Sequence, residues 1–200
     1  MIDVNLLVNE LCDQRFYIWD HFLDNEEAHL LRNEALQIIR QREFQAAKIG
    51  NLTNTSHNDA IRTDKIHWLD ASSPHIQPFW QMITQIKTTL NETLYLGLCE
   101  FEVHFAFYEA GTFYRKHIDQ FQNKKSRKVS FIYYLNPYWQ ANFGGQLVLY
   151  DEQNKLITSV APTWNRLICF LSHLPHEVLT TTADRLSITG WLKTKEELVI

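Results

Sequence analysis

The sequence predicts an α+β fold, mainly β, with helices gathered near the N-terminus and packed on one face of a β-sandwich or barrel. Three observations point there. Two segments in the first half repeat apolar residues at helical spacing. From Glu100 onward come eight short runs rich in β-branched and aromatic residues. Turn residues separate those runs at strand-length intervals, the pattern of a sandwich or barrel. A chain of 200 residues suits one domain, 1–200, with helical support over 1–98 and a β core over 99–194.

The first helix opens at "DNEEAHLLRNEALQIIRQREF". Asp24 is a plausible N-cap with Glu27 at N3, and Leu30, Leu31, Ala35, Ile38 and Ile39 recur at helical spacing. The segment 45–70 reads as a polar loop that turns apolar again near Ile66 to Leu69. A second helix is predicted over 73–94, where Phe79, Trp80, Ile83, Ile86 and Leu90 form a stripe. Both stripes are packing faces. The strands are "FEVHFAFYE", "FYRKHI", "KVSFIYYL", "GQLVLY", "KLITSVA", "RLICFL", "HEVLTT" and "RLSITGWLK". Between them stand Ala110-Gly111, Asn136-Pro137, Gly144-Gly145, Asp151-Glu152, Pro162 and Ala183-Asp184. Helices first and strands after describe an α+β arrangement.

Composition narrows the partners. Hydrophobic residues are 45% and charged ones 21%, as in a soluble globular chain. A net charge of −4 offers no basic face for nucleic acid, and no apolar run reaches membrane-spanning length. Cys12, Cys99 and Cys169 are odd in number and far apart, which suits reduced thiols. The N-terminal "MIDVNLLVNELCDQRFYIWD" has no basic n-region, so a signal peptide is not expected and the expected location is the cytoplasm. The expected assembly is a monomer or weak dimer.

The chemistry starts from "YRKHIDQFQ". In a strand, residues i and i+2 face the same way, so His117 and Asp119 form one potential ligand pair. Two His and one carboxylate on a single face suit a non-haem Fe(II) centre with positions left open for co-substrate and oxygen. "LSHLPHEVL" offers His173 and His176 as the third ligand. His176 is preferred because Pro175 fixes the start of its strand, whereas His173 lies in the turn before it. The other histidines (His21, His29, His57, His67, His75 and His104) read as ordinary surface or core residues. Nine residues after His176, Arg185 opens the last strand, and a hairpin turn over 181–184 would set it antiparallel to the His176 strand. A cation deep in an apolar barrel needs an anion, and the planar fork of Arg matches a carboxylate. With the triad, Arg185 is the expected anchor for 2-oxoglutarate.

The stretches "IRTDKIHWLD", "YEAGTFYRKHID", "IYYLNPYW", "GGQLVLY", "PHEV" and "RLSITGW", spread over residues 61–193, resemble the 2-oxoglutarate/Fe(II) dioxygenase superfamily. Within it they are similar to prolyl 4-hydroxylases of the EGLN type, which act on the hypoxia-inducible factor, and to their bacterial relatives. The resemblance implies a double-stranded β-helix (jelly-roll) core. It implies Fe(II) on His117, Asp119 and His176, with 2-oxoglutarate and O2 as co-substrates and ascorbate as an accessory. It also implies that Tyr134 helps Arg185 hold the distal carboxylate, that Tyr108 and Tyr114 lie near the co-substrate and metal, that Thr189 and Trp191 pack beside the iron, and that Leu147 forms an apolar wall. The implied reaction is hydroxylation of a prolyl residue on a protein, coupled to conversion of 2-oxoglutarate to succinate and CO2. Elongation factor Tu is the substrate associated with bacterial members. Two alternatives are hydroxylation of a free amino acid and a non-catalytic sensor that binds metal and 2-oxoglutarate. The basic loop "QNKKSRK" departs from the Gly-rich loop of the animal enzymes. Arg62, Asp64 and Arg127 match substrate-loop positions, and Asp64 is expected to approach Arg127 as an ion pair when the loop closes over substrate.

Overall fold

The computed structural model describes residues 4–47, 49–51, 54–56, 58, 60–69, 72–120 and 125–195. Its elements run α1 (Val4–Asp13), β1 (Phe16–Asp20), α2 (Asn25–Arg40), β2 (Gln45–Ala46), β3 (Ile49–Asn51), β4 (Asn54–Ser56), β5 (Lys65–Trp68) and α3 (Gln77–Leu94). Eight strands follow: β6 (Leu98–Tyr108), β7 (Tyr114–His117), β8 (Arg127–Tyr134), β9 (Leu147–Tyr150), β10 (Leu156–Val160), β11 (Arg166–Leu171), β12 (His176–Val178) and β13 (Arg185–Thr194). Asp24 caps α2 as its sequence suggests, its carboxylate accepting from Glu26 N at 2.8 Å. α3 is preceded by a 3-10 turn over Pro74–Ile76 and ends where Tyr95 adopts a left-handed conformation.

Two antiparallel sheets form a double-stranded β-helix. The larger has the order β1-β11-β8-β13-β6-β5-β2, and the smaller β10-β9-β12-β7. Alternation along each strand separates two cores. On β6 and β8, Val103, Phe105, Val129, Phe131 and Tyr133 turn outward and pack with Leu31 and Ala35 of α2 and Phe79, Ile83, Ile86 and Leu90 of α3. Ala106, Tyr108, Ile132 and Tyr134 turn inward, joining Leu147 and Leu149 of the smaller sheet and Val178 of β12. The helices therefore back the larger sheet and leave its inner face to the site.

Several expectations need correction. Residues 4–20 hold α1 and β1, for which no element was predicted; Leu7, Val8 and Leu11 of α1 are buried. The segment read as a loop over 45–70 contains four short strands, and β5 joins the larger sheet beside β6. Leu30, assigned to the buried stripe of α2, is 42% exposed, whereas Ala28 is buried. The 181–184 segment is not a hairpin: β12 belongs to the smaller sheet, while β13 pairs with β6 and β8 in the larger one. The segment carries the chain between sheets, and Arg185 reaches the cavity from the wall facing His176. His57 and residues 122–124 of the basic loop lie outside the described residues.

Candidate active site

A cavity of about 880 Å³ lies between the two sheets. The larger sheet contributes one inward row along β6 (Glu102, His104, Ala106, Tyr108) and one along β13 (Arg185, Thr189, Trp191, Lys193). His117, His176, Val178 and Leu147 line it from the smaller sheet. Register makes the rows neighbours: Arg185 opposes Tyr108, Thr189 opposes His104 and Trp191 opposes Glu102.

His117 and His176 face each other across the β7–β12 pair. The strand face invoked for Asp119 is corrected: β7 ends at His117, and Asp119 lies in the bend beyond it. Its carboxylate nevertheless turns inward, held by Ser130, whose hydroxyl donates to Asp119 Oδ2 at 2.7 Å. The carboxylate oxygens stand 3.5 Å from His117 Nε2 and 3.4 Å from His176 Nε2, and one potential ligand atom from each residue falls within 4.8 Å of the others. Each Nδ1 is tied to a backbone carbonyl, His117 to Arg115 at 2.8 Å and His176 to Leu174 at 2.9 Å. That bond fixes the tautomer and leaves Nε2 with a free lone pair. Burial pushes His176 down to about 4, against the opposing pull of Asp119. Burial works to raise the Asp119 carboxyl, but the two neighbouring histidines hold it well below the usual carboxylate range. Two imidazoles and a carboxylate brought together in this way are a donor set for a divalent metal. His173 is elsewhere, exposed and 3.6 Å from Glu152.

Arg185 is 1% exposed. Its Nε donates to Gly145 O at 3.0 Å and its Nη1 to Ser187 Oγ at 3.3 Å, while Nη2 is buried without a partner. The guanidinium lies 4.8 Å from the Tyr108 ring centre and 5.0 Å from that of Tyr134, whose hydroxyl is also buried and unpartnered. Burial raises both phenols. Gly145 permits this packing at a backbone φ of +66°, where a Cβ would press on the Arg185 side chain at 3.2 Å. Leu147 is fully buried in the wall. Tyr114 stacks on His117 with ring centres 3.6 Å apart, and burial pushes its hydroxyl up to about 12. Trp191 is buried beneath Arg127, whose guanidinium carbon sits 3.7 Å from the ring centre.

Asp64 and Arg127, expected to pair when the loop closes over substrate, each hold another partner in this structure. Arg62 grips Asp64 with both ends of its fork, at 2.8 and 2.6 Å, and Asp64 is 2% exposed. Arg127 donates to Glu102 at 2.8 Å and to the Asp119 carbonyl at 3.4 Å. All three loop residues line the cavity. Residues not foreseen at the site are Ser130, Ser172, Glu102, Lys193 and His104. His104, read as ordinary, is 3% exposed with Nδ1 unpartnered, and burial lowers it to about 3. Alternation offered a signal, because Ser130 shares the inward face of β8 with Ile132 and Tyr134.

Residues 103–193 match the family model of the 2OG-Fe(II) oxygenase superfamily. The crystal structure of a Pseudomonas putida prolyl-4-hydroxylase superposes with a TM-score of 0.86 at 32% identity, covering 96% of this chain and 99% of that one. The chain belongs to the 2OG-Fe(II) oxygenase superfamily. The chain is also similar, at 29% identity and a TM-score of 0.86, to a Trichoplax adhaerens prolyl hydroxylase solved with a hypoxia-inducible factor peptide fragment; 95% of this chain and 88% of that one are covered. Egl nine homolog 1 of Homo sapiens is 29% identical over 181 residues, 86% of this chain and 42% of the relative. The chain spans about half the length of the curated relatives it matches. Its residues fit the cofactors of the superfamily: the donor set suits Fe(II), and the unpartnered Arg185 Nη2 and Tyr134 hydroxyl suit a carboxylate.

Proposed function

We propose that this oxygenase is a 2-oxoglutarate- and Fe(II)-dependent hydroxylase acting on a prolyl residue of a protein substrate. One observation carries the reading. A fully buried guanidinium with no carboxylate partner among the described residues shares a cavity with a two-histidine, one-aspartate cluster. An uncompensated buried charge is expensive, and a dicarboxylate that reaches the metal at its other end removes the cost. The relatives named as prolyl hydroxylases support the choice of substrate.

In this reading His117, Asp119 and His176 hold Fe(II), and Arg185 with Tyr134 holds the distal carboxylate of 2-oxoglutarate. Bound Fe(II) supplies the oxygen activation that couples decarboxylation of 2-oxoglutarate, to succinate and CO2, to insertion of one oxygen atom into the substrate. The chain itself orients and excludes water. The carbonyl bonds to His117 and His176 keep both rings from rotating. Ile132, Leu147, Phe170 and Val178 give the cavity an apolar wall that helps to exclude water. Arg62, Asp64 and Arg127 border the substrate side.

Elongation factor Tu, implied by the resemblance to bacterial members, is the first substrate to test. The protein, Fe(II) and 2-oxoglutarate are incubated with it, and peptides are analysed by mass spectrometry alongside succinate release. The expected result is a one-oxygen mass gain on a single proline, matched by succinate and lost in His176→Ala. Succinate release that no proline-containing protein stimulates would overturn the prolyl assignment.

A further inference from the structure

Asp119 is tied to the larger sheet by one buried hydroxyl, which a second supports. Ser130 Oγ donates to Asp119 Oδ2 at 2.7 Å and lies 2.9 Å from Ser172 Oγ; Ser130 is 1% exposed and Ser172 is fully buried. A serine hydroxyl has one proton. The carboxylate is the stronger acceptor, so Ser130 gives its proton to Asp119 and accepts that of Ser172. The chain of donors therefore runs Ser172 to Ser130 to Asp119.

Its placement matters as much as its direction. Both imidazoles come from the smaller sheet, on β7 and β12, whereas Ser130 stands on β8 of the larger sheet and Ser172 directly follows β11. Backbone bonds brace the same bend. Gln120 N donates to Ser172 O at 3.1 Å, and the Gln120 side chain donates to Arg127 O at 2.9 Å. The carboxylate is thus positioned by the wall opposite the strands that carry its fellow ligands. With Oδ2 engaged by a hydroxyl, Oδ1 is the oxygen left without a hydroxyl donor.

We infer that Ser172 and Ser130 form a positioning relay that presents Asp119 to the metal through one oxygen and so sets the metal affinity of the site. The inference rests on the reading of the triad as a divalent-metal centre, but not on the identity of any substrate. Neither serine belongs to the candidate ligand set.

The test uses the full chain and the metal alone. Mn(II) is titrated into apo-protein and followed by the electron paramagnetic resonance of free Mn(II); Co(II) is added separately for its visible spectrum. Ser130→Ala is expected to weaken Mn(II) binding by about 10–100-fold, the usual effect of removing an outer-shell partner. Ser130→Thr keeps the hydroxyl and is expected to restore most of the affinity. Ser172→Ala is expected to give a smaller loss in the same direction, and it decides the question if Ser130→Ala does not fold. The Co(II) band of Ser130→Ala is expected to lose intensity, because a freed second oxygen raises the coordination number. Parent-like Mn(II) affinity and Co(II) spectrum in folded Ser130→Ala, or in Ser172→Ala if only that variant folds, would overturn the relay. Parent protein that binds no Mn(II) would instead remove the metal-centre reading, and the relay with it.

Discussion

Two buried cations share the inner face of β13 and are handled in opposite ways. Lys193, toward one end, has its ammonium 2.8 Å from Glu102 and 3.6 Å from Glu100, carboxylates supplied by the neighbouring β6. Arg185, at the other end, opposes Tyr108, rests on aromatic rings and meets no carboxylate among the described residues. The fold neutralises the first cation itself. At the second it leaves charge and a donor unspent, which is what a binding site for an anion requires. Stability and ligand binding are therefore separable along one strand.

Breaking the Arg185 end should produce the largest effect. Arg185→Gln is expected to cost about 1.5–3 kcal/mol of 2-oxoglutarate binding, the worth of a charge-assisted bond, measured by calorimetry on Mn(II)-loaded protein. Its melting temperature should hold or rise, since deleting an unpaired buried charge relieves the fold. Unchanged 2-oxoglutarate affinity would place the anion elsewhere.

His104 stands between the two cations, opposite Thr189, and sharpens the comparison through pH. Its folded pKa is lowered to about 3 from 6.5, first by burial and then by Arg62. Below about 6.5 the unfolded chain takes up a proton that the folded one refuses, so stability falls as pH drops toward 3. One such group contributes up to about 1.4 kcal/mol per pH unit. His104→Leu should flatten that part of a urea-denaturation series, and an unaltered slope would mean the ring is charged in the fold. The smallest effect belongs to the paired end. Lys193→Met should lower stability by about 1 kcal/mol or less, because Glu102 is partly exposed and keeps Arg127. 2-Oxoglutarate affinity should stay at the parent value; a shift would join the two ends after all.

The same contrast explains what could be read in advance. All eight strands after Glu100 were legible because alternation and turn residues are local signals. His117, Asp119 and His176 were legible as a group because their spacing is a chemical pattern. Their convergence within 4.8 Å agrees with that grouping. Sheet partnership was not legible: nothing local to residues 181–184 distinguishes a hairpin from a crossing between sheets. The partners that Asp64 and Arg127 hold here were not legible for a related reason. Arg62 is two residues from Asp64 and satisfies it locally, while Glu102 reaches Arg127 only through the ladder that sets β6 and β8 on either side of β13. Ser130 escaped notice because a serine on a strand announces no role until its neighbour across the cavity is known.

The crossing between sheets also bears on how the molecule assembles. His117 and His176 meet only when β7 and β12 pair, and Arg185 faces them only after the intervening segment has carried the chain to the other wall. Contacts between residues so distant in sequence form slowly, because a large loop must close before any of them is rewarded. An intermediate containing only the helix-backed sheet would carry Arg185 and Tyr134 but neither imidazole pair nor enclosed cavity. Metal capture then marks the end of folding rather than its beginning. Refolding followed by metal uptake would lag behind refolding followed by helical signal.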